Sequence, residues 1–203
     1  MSLLHTNISD SKINCSEQWW VDLINGDKSG LEAIYDYYVD DLYRYGMAIN
    51  NNNSLIKDCI QEVFISLWKY RNNLKKGVNV KSYLYRCLSN KIQKEIVKDR
   101  KKFHSNSIEN FEYLFLVDSC EKKMIDKQLL SELQQKLSTG ITSLPDRQKE
   151  VIHLLFFENK TYEEVSNIMS INLRSVYTLA WKAISKLKKL IAAISLLLFA
   201  CNF

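Results

Sequence analysis

The sequence has few residues that break helices. It contains five glycines and one proline in 203 residues, so it offers few turn signals. It also lacks runs of alternating β-branched residues, the pattern typical of half-buried strands. With 46% hydrophobic residues it can still form packed cores. We therefore predict an all-α protein, and its length allows one large or two small domains.

The five cysteines are odd in number, and no two lie close in sequence. This spacing excludes CxxC zinc or redox motifs and argues against a disulfide framework. Cys59 and Cys87 fall within apolar periodic runs, so we interpret them as core thiols. Free thiols favour a reducing compartment, and the amino-terminal residues show no signal-peptide pattern, so we expect a cytoplasmic protein. The positions are Cys15, Cys59, Cys87, Cys120 and Cys201.

The sequence has no recognisable catalytic motif. His5, His104 and His153 are far apart and lack metal-ligand spacing. There is no Gly-rich phosphate loop, and no Ser or Cys lies in a nucleophile motif. His153, inside an apolar run, is better explained as packed in or beside the core. We predict no enzyme activity, no cofactor and no metal site.

Charge is unevenly distributed along the chain. Lys69–Lys102 carries a net charge of +10, and Arg174–Lys189 adds five basic residues and no acidic ones, whereas Glu17–Glu62 carries −6. One basic patch could be solvated helical surface. Two such patches on a chain that is otherwise acidic indicate a polyanionic partner.

Apolar periodicity predicts four helices in the first half, the second opening on a capping box of Ser29 and Glu32. The third helix, from about Leu55 to Tyr70, has a second stripe besides its core stripe. That stripe mixes acids, an amide, Ile65 and Trp68, which is typical of a protein-docking surface. Alternatively, Trp68 packs into its own domain. The predicted core stripes are Ile56, Ile60, Val63 and Leu67 in the third helix and Leu84, Leu88, Ile92 and Ile96 in the fourth.

The fourth predicted helix, Val80 to Lys102, has a lysine stripe beside Tyr83 and Tyr85. Lysines contact phosphates, and aromatic rings can stack on unpaired bases. This combination favours contact with strand-separated nucleic acid, although both tyrosines could equally be core residues. The stripe consists of Lys91, Lys94, Lys98 and Lys101.

The segment Thr161–Leu187 predicts a helix-turn-helix. Thr161 and Glu164 form a capping box, and Asn172 caps the second helix. Before it, a helix opened by Pro145 should run to about Glu158 and end at a left-handed Asn159. In the second helix of the motif, the apolar residues Val176, Leu179, Ala183 and Leu187 should face inward. A polar and aromatic outer face remains, which suits the DNA major groove.

Two sequence blocks resemble bacterial RNA polymerase sigma factors. DCIQEVFISLWKYR (Asp58–Arg71) with SYLYRCLSNKI (Ser82–Ile92) resembles their region 2, and Ser143–Lys189 resembles their region 4. The order and spacing match the extracytoplasmic-function subgroup (sigma-70 family, group IV). The resemblance implies region 2 over 16–102, a linker over 103–123, region 4 over 124–190 and an apolar tail over 191–203.

The resemblance also implies roles for individual residues. The segment that docks on the β′ coiled coil of core polymerase corresponds to Asp58, Gln61, Glu62, Phe64 and Trp68. Recognition and melting of the −10 element correspond to Lys81, Tyr83, Tyr85, Arg86, Asn90, Lys91, Lys94 and Lys98. Reading of the −35 element corresponds to Arg174, Ser175, Tyr177, Thr178, Trp181 and Lys182. Expected partners are core polymerase, including its β flap, promoter DNA and an anti-sigma protein.

The tail Leu190–Ala200 is apolar except for Ser195. Eleven helical residues span about 16 Å, which is too short to cross a bilayer. It should prolong the last helix and pack against the chain's own domains or an anti-sigma protein. A stand-alone helix-turn-helix regulator is the alternative function, but it leaves the Asp58–Trp68 surface unused.

Overall fold

The computed structural model describes residues 15–102 and 137–201, with side chains described to Asp99 and Lys189 respectively. Every regular element in these ranges is helical, which confirms the predicted all-α fold. Apart from residues 167–170, which are grouped with the first unit, the chain divides after residue 106 into two compact units. The predicted linker and the first thirteen residues of the predicted region 4, residues 124–136, lie outside the described residues.

The first unit is a bundle of α-helices. Its elements are α1 (residues 15–24), α2 (Lys28–Ile49), α3 (Asn53–Lys69), a 3-10 turn (Arg71–Asn73) and α4 (Val80–Lys102). Helices α2, α3 and α4 pack against one another. Both predicted core stripes are buried, and α2 adds Ile34, Tyr38, Leu42, Tyr45 and Ile49. Periodicity located this core because the side chains on one face of each helix point to the same neighbours.

The helix starts of this unit depend on short polar side chains. Asp27 caps α2, accepting a hydrogen bond of 2.9 Å from the Ser29 amide, and this bond lowers the pKa of its carboxyl group. The predicted capping box of Ser29 and Glu32 is therefore wrong, because Ser29 already lies inside the helix. Asn52 and Asn79 cap α3 and α4 in the same way.

The second unit contains α5 (137–142), α6 (Asp146–Ile152), a π-helical turn (His153–Phe157), α7 (Tyr162–Met169) and α8 (Leu173–Cys201). Leu144, Ile152 and Ala183 form a buried cluster, and the half-buried Ile184 and Leu187 pack against it. Helix α6 thereby packs against α8. The helix predicted from Pro145 to Glu158 is α6 extended by the π turn.

Both turns around α7 follow from local side-chain chemistry. The Thr161 amide donates to Glu164 Oε2 (2.8 Å), and the Glu164 amide donates to Thr161 Oγ1 (3.2 Å), which confirms the predicted capping box. Asn159 is left-handed (φ 49°), as predicted, and Ser170 is too (φ 54°). Asn172 accepts from the Ser175 amide at 2.8 Å and begins α8.

Loss of the Thr161 cap should loosen α7. Thr161→Ala removes one half of the capping box, so we expect the opening free energy of the Tyr162–Met169 amides to fall by about 1 kcal/mol. Hydrogen exchange of these amides should then be roughly fivefold faster. Thr161→Ser keeps the hydroxyl and should exchange at nearly the wild-type rate. Equal rates for the alanine and serine variants would contradict the stabilising role of the cap.

Helix α8 continues through the apolar tail to Cys201, as predicted. Among the described residues, no helix has the length and apolarity required to cross a membrane. The role of the tail stays a prediction, because its side chains from residue 190 onward are not described.

Candidate nucleic-acid and protein interfaces

The mixed surface of α3 is presented to solvent. Asp58, Gln61 and Glu62 are exposed, and Ile65, on the same face, has 65% of its side chain accessible. Trp68 is half-buried at the carboxyl end of the surface. An apolar residue this exposed beside acids and an aromatic ring is typical of a binding surface rather than of a purely solvated face. We call these five residues the α3 surface.

Arg71 orients the tryptophan of the α3 surface. Its guanidinium lies 4.3 Å from the centre of the Trp68 ring and donates to the Trp68 carbonyl oxygen at 2.8 Å. The cation–π contact and the hydrogen bond together restrict the rotation of both side chains. The ring is thus held in place before any partner arrives. Sequence reasoning missed Arg71, although its position three residues after Trp68 on a helical stretch is a usable signal.

Phe64 does not belong to the docking surface predicted for it. Its side chain is only 6% exposed, and its ring packs edge-on against Tyr35 with centroids 5.0 Å apart. Phe64 is adjacent in sequence to the core residue Val63, and both side chains point into the bundle. We therefore correct its placement to the core of the first unit.

The basic face of α4 is partly neutralised by acids of the same unit. Lys81 pairs with Asp41 at 3.0 Å, and Lys91 pairs with Glu62 and, at 3.4 Å, with Glu95. The hydrogen bond to Glu62 raises the pKa of Lys91. Lys91 thereby links α4 to the α3 surface, so this lysine has a structural partner that the spacing did not reveal.

Among the side chains of this helix that are described, those up to Asp99, the exposed cations are Arg86, Lys94 and Lys98. Lys98 lies 3.3 Å from Glu95, with 60% of its side chain exposed. An ion pair at such exposure contributes little to stability and is readily exchanged for another anion. Lys94 and Lys98 are four residues apart, so they lie on the same helix face and can contact neighbouring phosphates.

The two tyrosines of α4 differ in environment. Tyr85 is fully buried and stacks on Tyr45, with centroids 4.4 Å apart and planes 10° apart. Its predicted contact with DNA is therefore wrong, because the ring is a core residue. Tyr83 is half-buried, packs edge-on against Trp20 at 5.1 Å, and has a pKa raised by burial.

A groove of about 380 Å³ lies between α3 and α4. Val63 and Leu67 line it from α3, and Asn90, Lys91 and Lys94 line it from α4. Tyr83 and Cys87 line it from α4, where burial raises the pKa of the Cys87 thiol. The fold thus brings together four of the predicted −10 residues in one concave surface: Tyr83, Asn90, Lys91 and Lys94.

Helices α7 and α8 form the predicted helix-turn-helix. Arg174, Thr178 and Lys182 are exposed on α8. Ser175 is half-buried, and Thr178 donates its hydroxyl to the Arg174 carbonyl oxygen at 2.9 Å. Of the residues predicted to face inward, Val176 and Ala183 are buried, and Leu179 and Leu187 are half-buried.

Two aromatic rings extend the outer face of α8. Tyr177 is 50% exposed and Trp181 is 69% exposed. Tyr162, at the start of α7, stacks on Tyr177 with centroids 4.4 Å apart and planes 17° apart. Sequence reasoning missed Tyr162, because no periodicity within α7 relates it to a residue of another helix.

The described residues contain no group of three or more His, Cys, Asp or Glu side chains that could hold a metal ion. His153 is half-buried beside Glu158 (3.8 Å) and stacks on Phe157. Cys59 is buried, and burial raises the pKa of its thiol to about 11. At neutral pH this thiol is protonated and inert, in agreement with a core role.

Comparison with known proteins identifies both units. The family model for Sigma-70 region 2 matches residues 34–102, and that for Sigma-70 region 4 matches residues 140–189, so together they cover more than half of the chain. The chain is 23% identical to the ECF RNA polymerase sigma factor SigM of Bacillus subtilis, over 79% of this chain and 94% of SigM. It is 26% identical to a Clostridium perfringens protein named bacteriocin UviA, over 81% and 92%.

Two solved structures share the fold. The sigma factor RpoE of Bartonella quintana, solved with the anti-sigma factor NepR, superposes with a TM-score of 0.59 at 16% identity, covering 79% of this chain and 96% of that one. CnrH, solved with the cytosolic domain of CnrY, superposes with a TM-score of 0.57 at 15% identity, covering 88% and 97%.

The two matched regions define a transcription-initiation factor that binds core RNA polymerase and promoter DNA. The chain belongs to the sigma-70 family, within its extracytoplasmic-function group. It directs promoter-specific initiation, and a stand-alone helix-turn-helix regulator is not favoured because region 2 accounts for the first unit. Sigma factors regulate transcription without catalysing a reaction themselves.

Proposed function

We propose that three surfaces of this sigma factor have separate binding roles. The α3 surface docks on the β′ coiled coil of core polymerase, the groove and exposed lysines of α4 bind the −10 element, and the outer face of α8 reads the −35 element. The proposed boundaries are 16–102 for region 2, 103–123 for the linker, 124–190 for region 4 and 191–203 for the tail.

The observation that carries this proposal is that two helices of region 2 present surfaces of different chemical character. The α3 surface offers acids, an amide and apolar side chains, which suit a protein partner. The exposed cations of α4 suit phosphates instead. One small unit therefore presents a protein-binding and a nucleic-acid-binding surface on adjacent helices.

For −10 recognition we retain the exposed or half-buried residues of α4 and exclude Tyr85. Lys94 and Lys98 contact phosphates, and Tyr83 offers the one aromatic ring of the predicted set that borders the groove. Lys81 and Lys91 act mainly through their ion pairs with Asp41 and Glu62. Binding energy from such contacts traps the melted strand, so the sigma factor needs no catalytic residue, and we propose that it has no enzyme activity.

For −35 recognition the proposed residues are those of the outer face of α8. The first residues of a recognition helix contact base edges in the major groove. Arg174 lies in the first turn, and Lys182 lies two turns further along the same helix. We also propose regulation by an anti-sigma protein, supported by the RpoE structure solved with the anti-sigma factor NepR. We propose a cytoplasmic location as well, supported by the CnrH structure solved with the cytosolic domain of CnrY.

Run-off transcription tests the proposal. Core polymerase freed of sigma factors should give new transcripts from fragmented genomic DNA only when this protein is added. Their start sites would define the −35 and −10 elements. An absence of transcripts, together with intact DNA binding and no binding to core polymerase, would instead identify a stand-alone regulator.

A further inference from the structure

Two aromatic rings project from one face of α8 near its amino-terminal end. Tyr177 and Trp181 are four residues apart, so they lie on the same face about 6 Å apart along the helix axis. Half or more of each side chain is exposed. Two neighbouring exposed aromatic rings on the second helix of a helix-turn-helix motif are typical of a binding surface.

The Tyr177 ring is held in position from the neighbouring helix. Tyr162 of α7 stacks on it nearly parallel, with centroids 4.4 Å apart. A stacked pair favours one orientation of the ring over the others. Tyr177 is therefore ordered before binding, and little conformational entropy is lost when it meets a ligand.

Charge identifies the ligand of this face as DNA. Arg174 and Lys182 are exposed on either side of the rings, and Arg174–Lys189 contains five basic residues and no acidic one. Such a surface attracts a polyanion. In the major groove of DNA, thymine is the one base that presents a methyl group, and apolar side chains recognise it by contact.

We propose that Tyr177 and Trp181 are specificity-determining residues that read thymine methyl groups in the −35 element. Tyr162 is a positioning residue that holds the Tyr177 ring against its thymine. The separation of the two rings, about 6 Å, matches one to two base-pair steps of about 3.4 Å. This inference rests on the proposed assignment of α8 to the −35 element.

Deoxyuridine substitution tests the contact directly, because it removes the methyl group and preserves base pairing. The holoenzyme is assembled from the full chain and core polymerase, and each −35 thymine of a run-off promoter is replaced in turn. Wild-type holoenzyme should bind about fourfold more weakly at one or more of these positions, which is the expected effect of one lost methyl contact.

Variants of the rings should abolish this sensitivity at defined positions. Trp181→Ala should bind the thymine and uracil forms of its base pair equally. Tyr162→Ala should reduce the ratio of thymine affinity to uracil affinity at the position read by Tyr177. Tyr162→Phe and Tyr177→Phe retain the rings and should keep the wild-type ratio. A purely structural role would change affinity for both forms alike and leave the ratio unaltered.

The outcomes that overturn the proposal are distinct from failure of the sigma function. Equal wild-type affinity for thymine and uracil promoters, or a selected −35 element without thymine, would refute methyl reading. Weaker binding of Trp181→Ala to core polymerase in the absence of DNA would identify a protein contact instead. If no holoenzyme forms, the same comparison is made with the full chain alone on DNA that it selects. The ratio of its affinities for thymine and uracil DNA then tests methyl reading independently of the sigma function.

Discussion

Core RNA polymerase should bind the Asp58→Ala/Trp68→Ala double variant about 30-fold more weakly than the wild type. This factor corresponds to loss of a single aromatic hot spot, roughly 2 kcal/mol. Trp68 is the anchor because Arg71 holds its ring at the edge of the α3 surface. Asp58 is exposed, on the side of α3 that faces away from the core stripe, and it contributes a negative charge to the α3 surface. A competition titration for core polymerase measures the effect.

Tyr70→Ala is the matched control for this variant. Tyr70 is also an exposed aromatic residue at the end of α3, but it lines the groove rather than the α3 surface. Its truncation should leave core binding within about twofold of the wild type. Loss of helical circular dichroism in the double variant would place Trp68 in the fold of region 2, and wild-type affinity for core would remove it from the interface.

Neutralising Lys94 and Lys98 should weaken binding of the holoenzyme to a fork-shaped −10 probe roughly 25-fold at 0.1 M salt. Each phosphate contact with a single strand steepens the dependence of log affinity on log salt by about 0.7, so loss of two contacts makes the slope shallower by about 1.4. Glutamine is the replacement of choice because its helix propensity is close to that of lysine. Binding measured across a salt series gives both quantities.

Lys28→Gln with Lys57→Gln provides a control of equal charge change. Both lysines are exposed in region 2 but lie on α2 and α3, outside the basic face of α4. Their removal lowers the net charge by the same amount, so it accounts for any nonspecific electrostatic effect. An equal salt slope for wild type and the Lys94/Lys98 variant would exclude these lysines from the DNA surface.

Local sequence signals predicted most of the helical framework. The capping box of Thr161 and Glu164, the left-handed Asn159 and the cap at Asn172 all form as expected. These features were predictable because every partner lies within five residues along the chain. Where two local signals competed, the prediction was wrong: Asp27, rather than Ser29, caps α2.

The composition of the binding surfaces was less predictable. The family resemblance implied a polymerase contact for Phe64 and a −10 contact for Tyr85, yet both rings pack against tyrosines of α2. Likewise, Lys91 belongs to a cationic stripe in sequence but pairs with Glu62 of α3. In each case the deciding partner is at least 29 residues away, so no pattern within one helix could reveal it.

By itself, the sequence determined the all-α class, the caps of α7 and α8, the buried stripes of α3 and α4 and the two blocks that place the chain among sigma factors. These properties depend on residue type at short spacing, which a linear pattern preserves. The tertiary structure alone decided which aromatic rings are buried, which lysines remain available and which ring Tyr162 supports. Such properties depend on contacts between helices, because only packing determines which part of each helix surface is withdrawn from solvent.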